Sequence, residues 1–231
     1  MPSPKPPAER LYGRTRGHKL RPRQQALLDQ ALPRLAFPPN AAPNPLAAFD
    51  GPVTELWLEI GFGGGEHAEA LASANPHAGL IACEVFENGV CSLLSRLIPE
   101  GEEATSPVPP NLRLWRDDAR LLLRNLPEAC LDKLFLMFPD PWPKARHAKR
   151  RFVHPDQIAL LARVLRPGGE WRIASDDPTY QAWVIEVFAG QTAFAPTNAT
   201  AERPSDWPPT RYEAKARLAG RQPLYWSLHR L

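Results

Sequence analysis

No apolar run in the 231 residues approaches the roughly 18 needed to cross a bilayer as a helix. A membrane protein is therefore not expected. The opening stretch, MPSPKPPAERLYGRTRGHKL, carries charge but lacks the hydrophobic core of a secretory signal. Cysteine is scarce: Cys83, Cys91 and Cys130 form no CxxC pair, and an odd count argues against a disulfide framework. Reduced thiols and a cytoplasmic location are expected. No internal repeat recurs at a fixed period.

What remains is an ordinary globular composition, 43% hydrophobic and 23% charged, in a chain long enough to bury a real core. The net charge of +3 looks bland until it is divided. Residues 1–23 contribute +6 and KARHAKRR (144–151) contributes +5, which leaves −8 for the rest. Either basic run alone is as readily a solvated segment as a site. Two of them on an acidic body suggest a polyanion partner, and nucleic acid is the simplest candidate.

Residues 1–25, rich in proline and basic, are predicted to be a flexible arm, and 26–231 a single domain. QALLDQALPRLAF reads as a short helix ended by Pro38 and Pro39. Alternation then begins. Strands are predicted at 53–60, 79–85, 111–115, 131–138 and EWRIAS, with helices following each. The helix HPDQIALLARVLRPGG is expected to close on its glycine pair. TAFAPTNAT and LYWSLHRL would form a closing antiparallel pair. Repeated β-then-α units imply an α/β fold with a doubly wound, mostly parallel sheet.

In such a sheet ligands bind beyond the carboxyl ends of the strands. Acids recur there: Glu59 before Gly61-Phe62-Gly63-Gly64-Gly65, then Glu84, Asp117-Asp118, Asp140, and Asp176-Asp177 after Ser175. One such acid is usually a helix cap, but five in succession point to a shared cleft. The glycine loop begins as G-x-G, yet Glu66 stands where a dinucleotide site wants a small residue. An acid at a helix start also opposes a pyrophosphate. A cationic ligand without phosphates fits better, and S-adenosylmethionine is such a ligand. Glu84 is placed to accept both ribose hydroxyls, and Asp118 would suit the adenine amine. For the glycines alone, a tight turn is the competing reading.

FPDPWPKARHAKRRF (138–152) sets Asp140 among three prolines and a tryptophan. Phe138, Asp140 and Trp142 each precede a proline, which disfavours the α region. The stretch is therefore predicted to be a stiff, extended arm presenting one acid beside five cations.

LEIGFGGG (58–65), the strand end at Glu84, the DAR after strand three and above all FPDPWPKARHAKRRF resemble the bacterial tRNA (guanine-N7-)-methyltransferase family, from about residue 50 onward. The resemblance implies a Rossmann-like class I methyltransferase with a seven-stranded sheet and an antiparallel C-terminal strand. It implies S-adenosylmethionine as cofactor and N7 of a guanosine in the tRNA variable loop as target. The implied cofactor residues are Glu59, Gly61, Gly63, Glu84, Asp118 and Asp140, with Asp140 also the active-site acid. Lys144, Asp176 and the run Thr210, Arg211, Tyr212 and Glu213 would contact substrate. Arg146, Lys149, Arg150 and Arg151 would hold tRNA phosphates. No metal and no obligate protein partner are implied; the chain would act as monomer or homodimer. Ser175 and Asp177 depart from the family's usual neighbours of Asp176, and the tail EAKARLAGRQP matches weakly.

Guanine N7 carries an in-plane lone pair, so its methylation needs positioning rather than prior deprotonation. Asp140 is expected to orient the base and stabilise the charge developing on it, not to act as a general base. Trp142 or Tyr212 would stack on the target base; for Trp142 a hydrophobic plug under the loop is the alternative. His147 either contacts phosphate or fills the loop. Two other functions compete: a nicotinamide-dependent oxidoreductase, opposed by Glu66 and the acidic edge, and a non-catalytic RNA-binding scaffold, opposed by the intact acid set.

Overall fold

The described residues of the computed structural model are 11–231. Their strands are β1 (Glu55–Ile60), β2 (Ala78–Cys83), β3 (Leu112–Trp115), β4 (Leu131–Met137), β5 (Leu165–Ser175) and β6 (Leu224–His229). They form one sheet in the order β3-β2-β1-β4-β5-β6. All pairings are parallel except β5 with β6. β1 leads to β2 on one side and pairs β4 on the other, so the order reverses between β1 and β4. A crevice opens at that point, beyond the strand ends.

Helices cover both faces: α1 (Pro22–Ala26), α2 (Leu32–Leu35), α3 (Glu66–Ala74) and α4 (Glu87–Leu97), then α5 (Ala119–Asn125), α6 (Pro155–Val164), α7 (Pro178–Ala189) and α8 (Arg211–Leu218). Strand alternation distributes two cores. Leu56, Leu58, Leu134 and Leu136 pack with Leu122, Leu161 and Val184. Trp57, Phe135 and Met137 pack on the opposite face with Leu27, Leu71 and Leu93. Burial of both faces is why β2 and β4 read as near-continuous apolar runs.

Four expectations need correction. The sheet has six strands among the described residues, not seven. The segment before β6 makes only isolated bridges, Phe194 with Arg230 and Thr200 with Tyr225. The helix predicted over HPDQIALLARVLRPGG ends at Val164, and the glycine pair lies inside β5. There the β4–β5 register shifts between Leu131 and Lys133. A Cβ on Gly169 would stand 2.8 Å from the Arg166 carbonyl oxygen, so the bulge has no room for a side chain. The first predicted helix is interrupted by a π turn, Leu27–Ala31. Pro33 has no N–H to offer the preceding turn, which breaks the α ladder at that point. The arm expected over 1–25 lies partly outside the described residues; within them helix α1 begins at Pro22.

Candidate active site

Between the ends of β1, β2 and β4 lies a cavity of about 530 Å³. Gly61, Gly63, Glu84, Asp118, Asp140 and Tyr212 line it, so one cleft gathers residues spread over most of the chain. The glycine loop turns with φ of 74° at Gly61 and 59° at Gly63, a conformation that suits residues without a Cβ. Its purpose is visible at Gly63, whose N–H donates to Glu84 Oε2 at 2.8 Å. The Phe86 N–H donates to Glu84 Oε1 at 2.9 Å. The carboxylate is thereby locked at the cleft wall. Burial pushes the Glu84 carboxyl above its ordinary value, with the Phe86, Gly63 and Val85 N–H groups opposing that rise.

Glu59 behaves differently. It is 1% exposed and does not line the cleft. One oxygen lies 3.0 Å from His67 Nδ1, and the other, Oε2, is a buried acceptor without a hydrogen-bond partner. Nothing in the sequence singled out His67, which is one histidine on an amphipathic helix.

Asp118 caps α5, accepting from the Arg120 N–H at 3.0 Å. The Arg120 guanidinium also grips the same carboxylate, with Nη2 at 2.6 Å from Oδ2. Arg120, the arginine of the DAR motif, thus enters the cleft wall, a role that the sequence alone did not assign it. Tyr12 and Arg14 do the same from the N-terminal segment.

Asp140 lies exposed on the cleft wall, with no hydrogen bond or ion pair among the described residues. It stands between two residues forced into the left-handed region, Phe138 at φ 52° and Trp142 at φ 43°. The stretch is not extended throughout, contrary to the expectation, because these two residues leave the extended region. It doubles back and continues into a short 3-10 helix, Ala145–Arg150. The pre-proline restriction excluded the α region at these residues but left the left-handed one open.

The five cations of this segment separate. Lys144 and Arg146 are exposed and outside the cleft, whereas Lys149, Arg150 and Arg151 line it. Arg150 stacks between Tyr12, 5.2 Å from its ring centroid, and Trp142 at 4.8 Å. Arg151, expected to hold a phosphate, is 6% exposed and donates to the Pro141 and Trp142 carbonyls. Partial removal from water lowers the His147 pKa, and Arg150, Arg146, Lys144 and Lys149 lower it further. His147 packs edge-on against Trp142 at 5.9 Å, which favours the loop-filling reading of both residues.

The run Thr210 to Glu213 also divides. Thr210 caps α8 by accepting from the Glu213 N–H at 3.0 Å. Glu213 is buried and pairs with Arg203 at 3.0 Å and Arg217 at 3.1 Å. Of the four, Arg211 and Tyr212 line the cleft, while Thr210 and Glu213 take part in helix capping and ion pairing. Tyr212 lies nearly parallel to Phe138, 6.5 Å between centroids. Arg211 sits 5.0 Å over the Tyr212 ring and 3.7 Å from Glu66. Asp176 does not line the cleft; it pairs with Arg221 at 2.6 Å.

The carboxylates of Glu84 and Asp118 fit a ligand with hydroxyls and an amine, while Arg14, Arg120, Lys149 and Arg150 line the same cleft with cations. The cleft offers fixed carboxylates and glycine-lined space, and Glu66 stands at the α3 start where a pyrophosphate would bind.

Residues 54–225 match a family model described as "Putative methyltransferase". The tRNA (guanine-N(7)-)-methyltransferase of Granulibacter bethesdensis is 68% identical over 219 residues, covering 94% of this chain and 93% of that protein. The protein of the same name from Paramagnetospirillum magneticum is 47% identical over 96% of this chain and 92% of its own. Among solved structures, an antibiotic-related methyltransferase superposes with a TM-score of 0.55 at 10% identity, over 81% of this chain and 94% of that one. An rRNA methylase from Streptococcus thermophilus gives 0.51 at 17% identity, over 80% and 92%. At such identities these two likenesses concern the fold.

Proposed function

Because the chain belongs to the tRNA (guanine-N7-)-methyltransferase family, we propose that it methylates N7 of a guanosine in the variable loop of tRNA, with S-adenosylmethionine as donor. The observation that carries this reading is the junction at Asp140: one cleft lined both by the carboxylates Glu84, Asp118 and Asp140 and by cations of the 144–151 segment.

The cofactor, when bound, supplies an electrophilic methyl on a sulfonium. Glu84, held by two backbone donors, presents its remaining lone pairs to ribose hydroxyls. Asp118 and Arg120 form the adenine end of the wall. Glu59, buried and off the cleft wall, keeps one acceptor without a partner among the described residues. Asp140 keeps its carboxylate unengaged and accepts from the guanine N1–H and exocyclic amine, which distinguishes guanine from adenine. The same negative charge stabilises the purine as it becomes cationic. Lys144, Arg146 and Lys149 position the RNA through its phosphates. The Tyr212 ring above Phe138 offers a stacking plate for the base.

Transfer of labelled methyl to unmodified tRNA, followed by N7-dependent strand scission, tests the reading. Scission at a variable-loop guanosine is expected. Label at any other atom, or none, would sink it.

A further inference from the structure

The Asp140 loop is held in an unfavourable shape, and the side chain that holds it is Arg151. Left-handed backbone at a residue with a bulky side chain is costly and persists only where surroundings enforce it. Phe138 and Trp142, two residues either side of Asp140, both adopt it. The entry to the loop is fastened by the sheet, where the Phe138 N–H donates to the Ala174 carbonyl at 2.8 Å. At the exit, Arg151 Nε donates to the Pro141 carbonyl at 3.1 Å and Nη2 to the Trp142 carbonyl at 3.0 Å. These are consecutive carbonyls on the exit side of the turn that carries Asp140.

Arg151 is itself immobilised. Its guanidinium lies 4.9 Å over the Trp183 ring of α7. The Trp183 indole N–H donates to the Val153 carbonyl at 2.6 Å, and the Val153 N–H donates to the buried Tyr180 hydroxyl at 3.3 Å. A planar fork with parallel donors and a stackable face suits this place; an ammonium does not. The charge that a basic-run reading assigns to RNA is thus spent inside the protein.

We propose that Arg151 is a positioning residue: it clasps the Pro141 and Trp142 carbonyls against α7 and so fixes Asp140 where the base is received, instead of binding a tRNA phosphate. The inference rests on the reading of Asp140 as the acid at the reacting base.

Arg151→Lys keeps the charge and removes the fork. Trp183→Leu removes the plate from behind, away from the basic face. Each should lower kcat about 10- to 100-fold, the scale of a small misplacement at a reacting centre. KM for tRNA and the slope of log affinity against log salt should stay at wild-type values. Lys149→Ala, a phosphate-contact control, should reduce that slope by about 1. Trypsin cleavage after Lys144 and Arg146 should quicken in both loop variants, a readout that needs no catalysis. Thermal unfolding establishes that each variant is folded; should Arg151→Lys not fold, Trp183→Leu carries the test. The clamp is overturned if Arg151→Lys retains wild-type kcat and cleavage while Arg151→Ala lowers the salt slope. It is equally overturned if Trp183→Leu leaves kcat and cleavage unchanged. A wild-type enzyme inactive on tRNA would remove the functional reading, and the cleavage comparison would still decide the clamp.

Discussion

Asp140 and Glu84 are both carboxylates on one cleft, and their surroundings give them different work. Asp140 is exposed and has no partner among the described residues, so its charge is available to whatever enters. Asp140→Asn keeps the shape and removes the charge. Both substrates should still bind, with kcat reduced by about 100-fold, the scale for one preorganised electrostatic group; near-normal turnover in single-turnover kinetics would refute the role. Glu84 is buried, and burial raises its pKa from 4.5. Its ionised form is therefore disfavoured in the folded chain. The stability contributed by this group is present at low pH and is lost as pH rises through the raised folded value. Cofactor affinity runs the opposite way, because only the carboxylate can accept two hydroxyls. Affinity should therefore fall, as pH is lowered, sooner than for an ordinary glutamate. A calorimetric titration series would show it, and a profile flat down to pH about 4.5 would contradict the assignment.

At the scale of elements, α8 shows how a motif can be split by its own helix. The Thr210 hydroxyl and the Glu213 carboxylate point into the capping and ion-pair network, while the two residues between them face the cleft. Thr210→Ala should cost about 1 kcal/mol of stability and Thr210→Ser very little, since serine caps equally well. Glu213→Ala strands Arg203 and Arg217 and should cost about 2 kcal/mol, as for hydrogen bonds to a charged partner. Urea unfolding measures both. A pure substrate contact would instead leave the midpoint in place and raise KM for tRNA. The glycine pair at 168–169 is the companion case: its residues suited a helix stop, but the strand pairing with β4 recruited them as a bulge.

Over the whole molecule, charge is segregated: the chain outside the two basic segments carries −8 of a net +3. Such a body repels RNA except where the cations gather. Replacing Lys144, Arg146 and Lys149 together by alanine should flatten the salt dependence of tRNA affinity by a slope of about 2–3. An unchanged slope would place the RNA elsewhere. No helix among the described residues is long and apolar enough to cross a membrane. The sequence by itself determined the doubly wound sheet, because parallel strands buried on both faces leave unbroken apolar runs punctuated by acids at their ends. It also determined which loops meet, since topology alone brings the ends of β1, β2 and β4 together. Tertiary structure alone decided the use of each side chain there. Arg151 is a clamp because Trp183 of α7 lies behind it, and Glu213 is an anchor because Arg203 and Arg217 flank it. A run of like charges looks uniform along the chain; what distinguishes its members is the dielectric and the partners that packing supplies, and those come from residues far away in sequence.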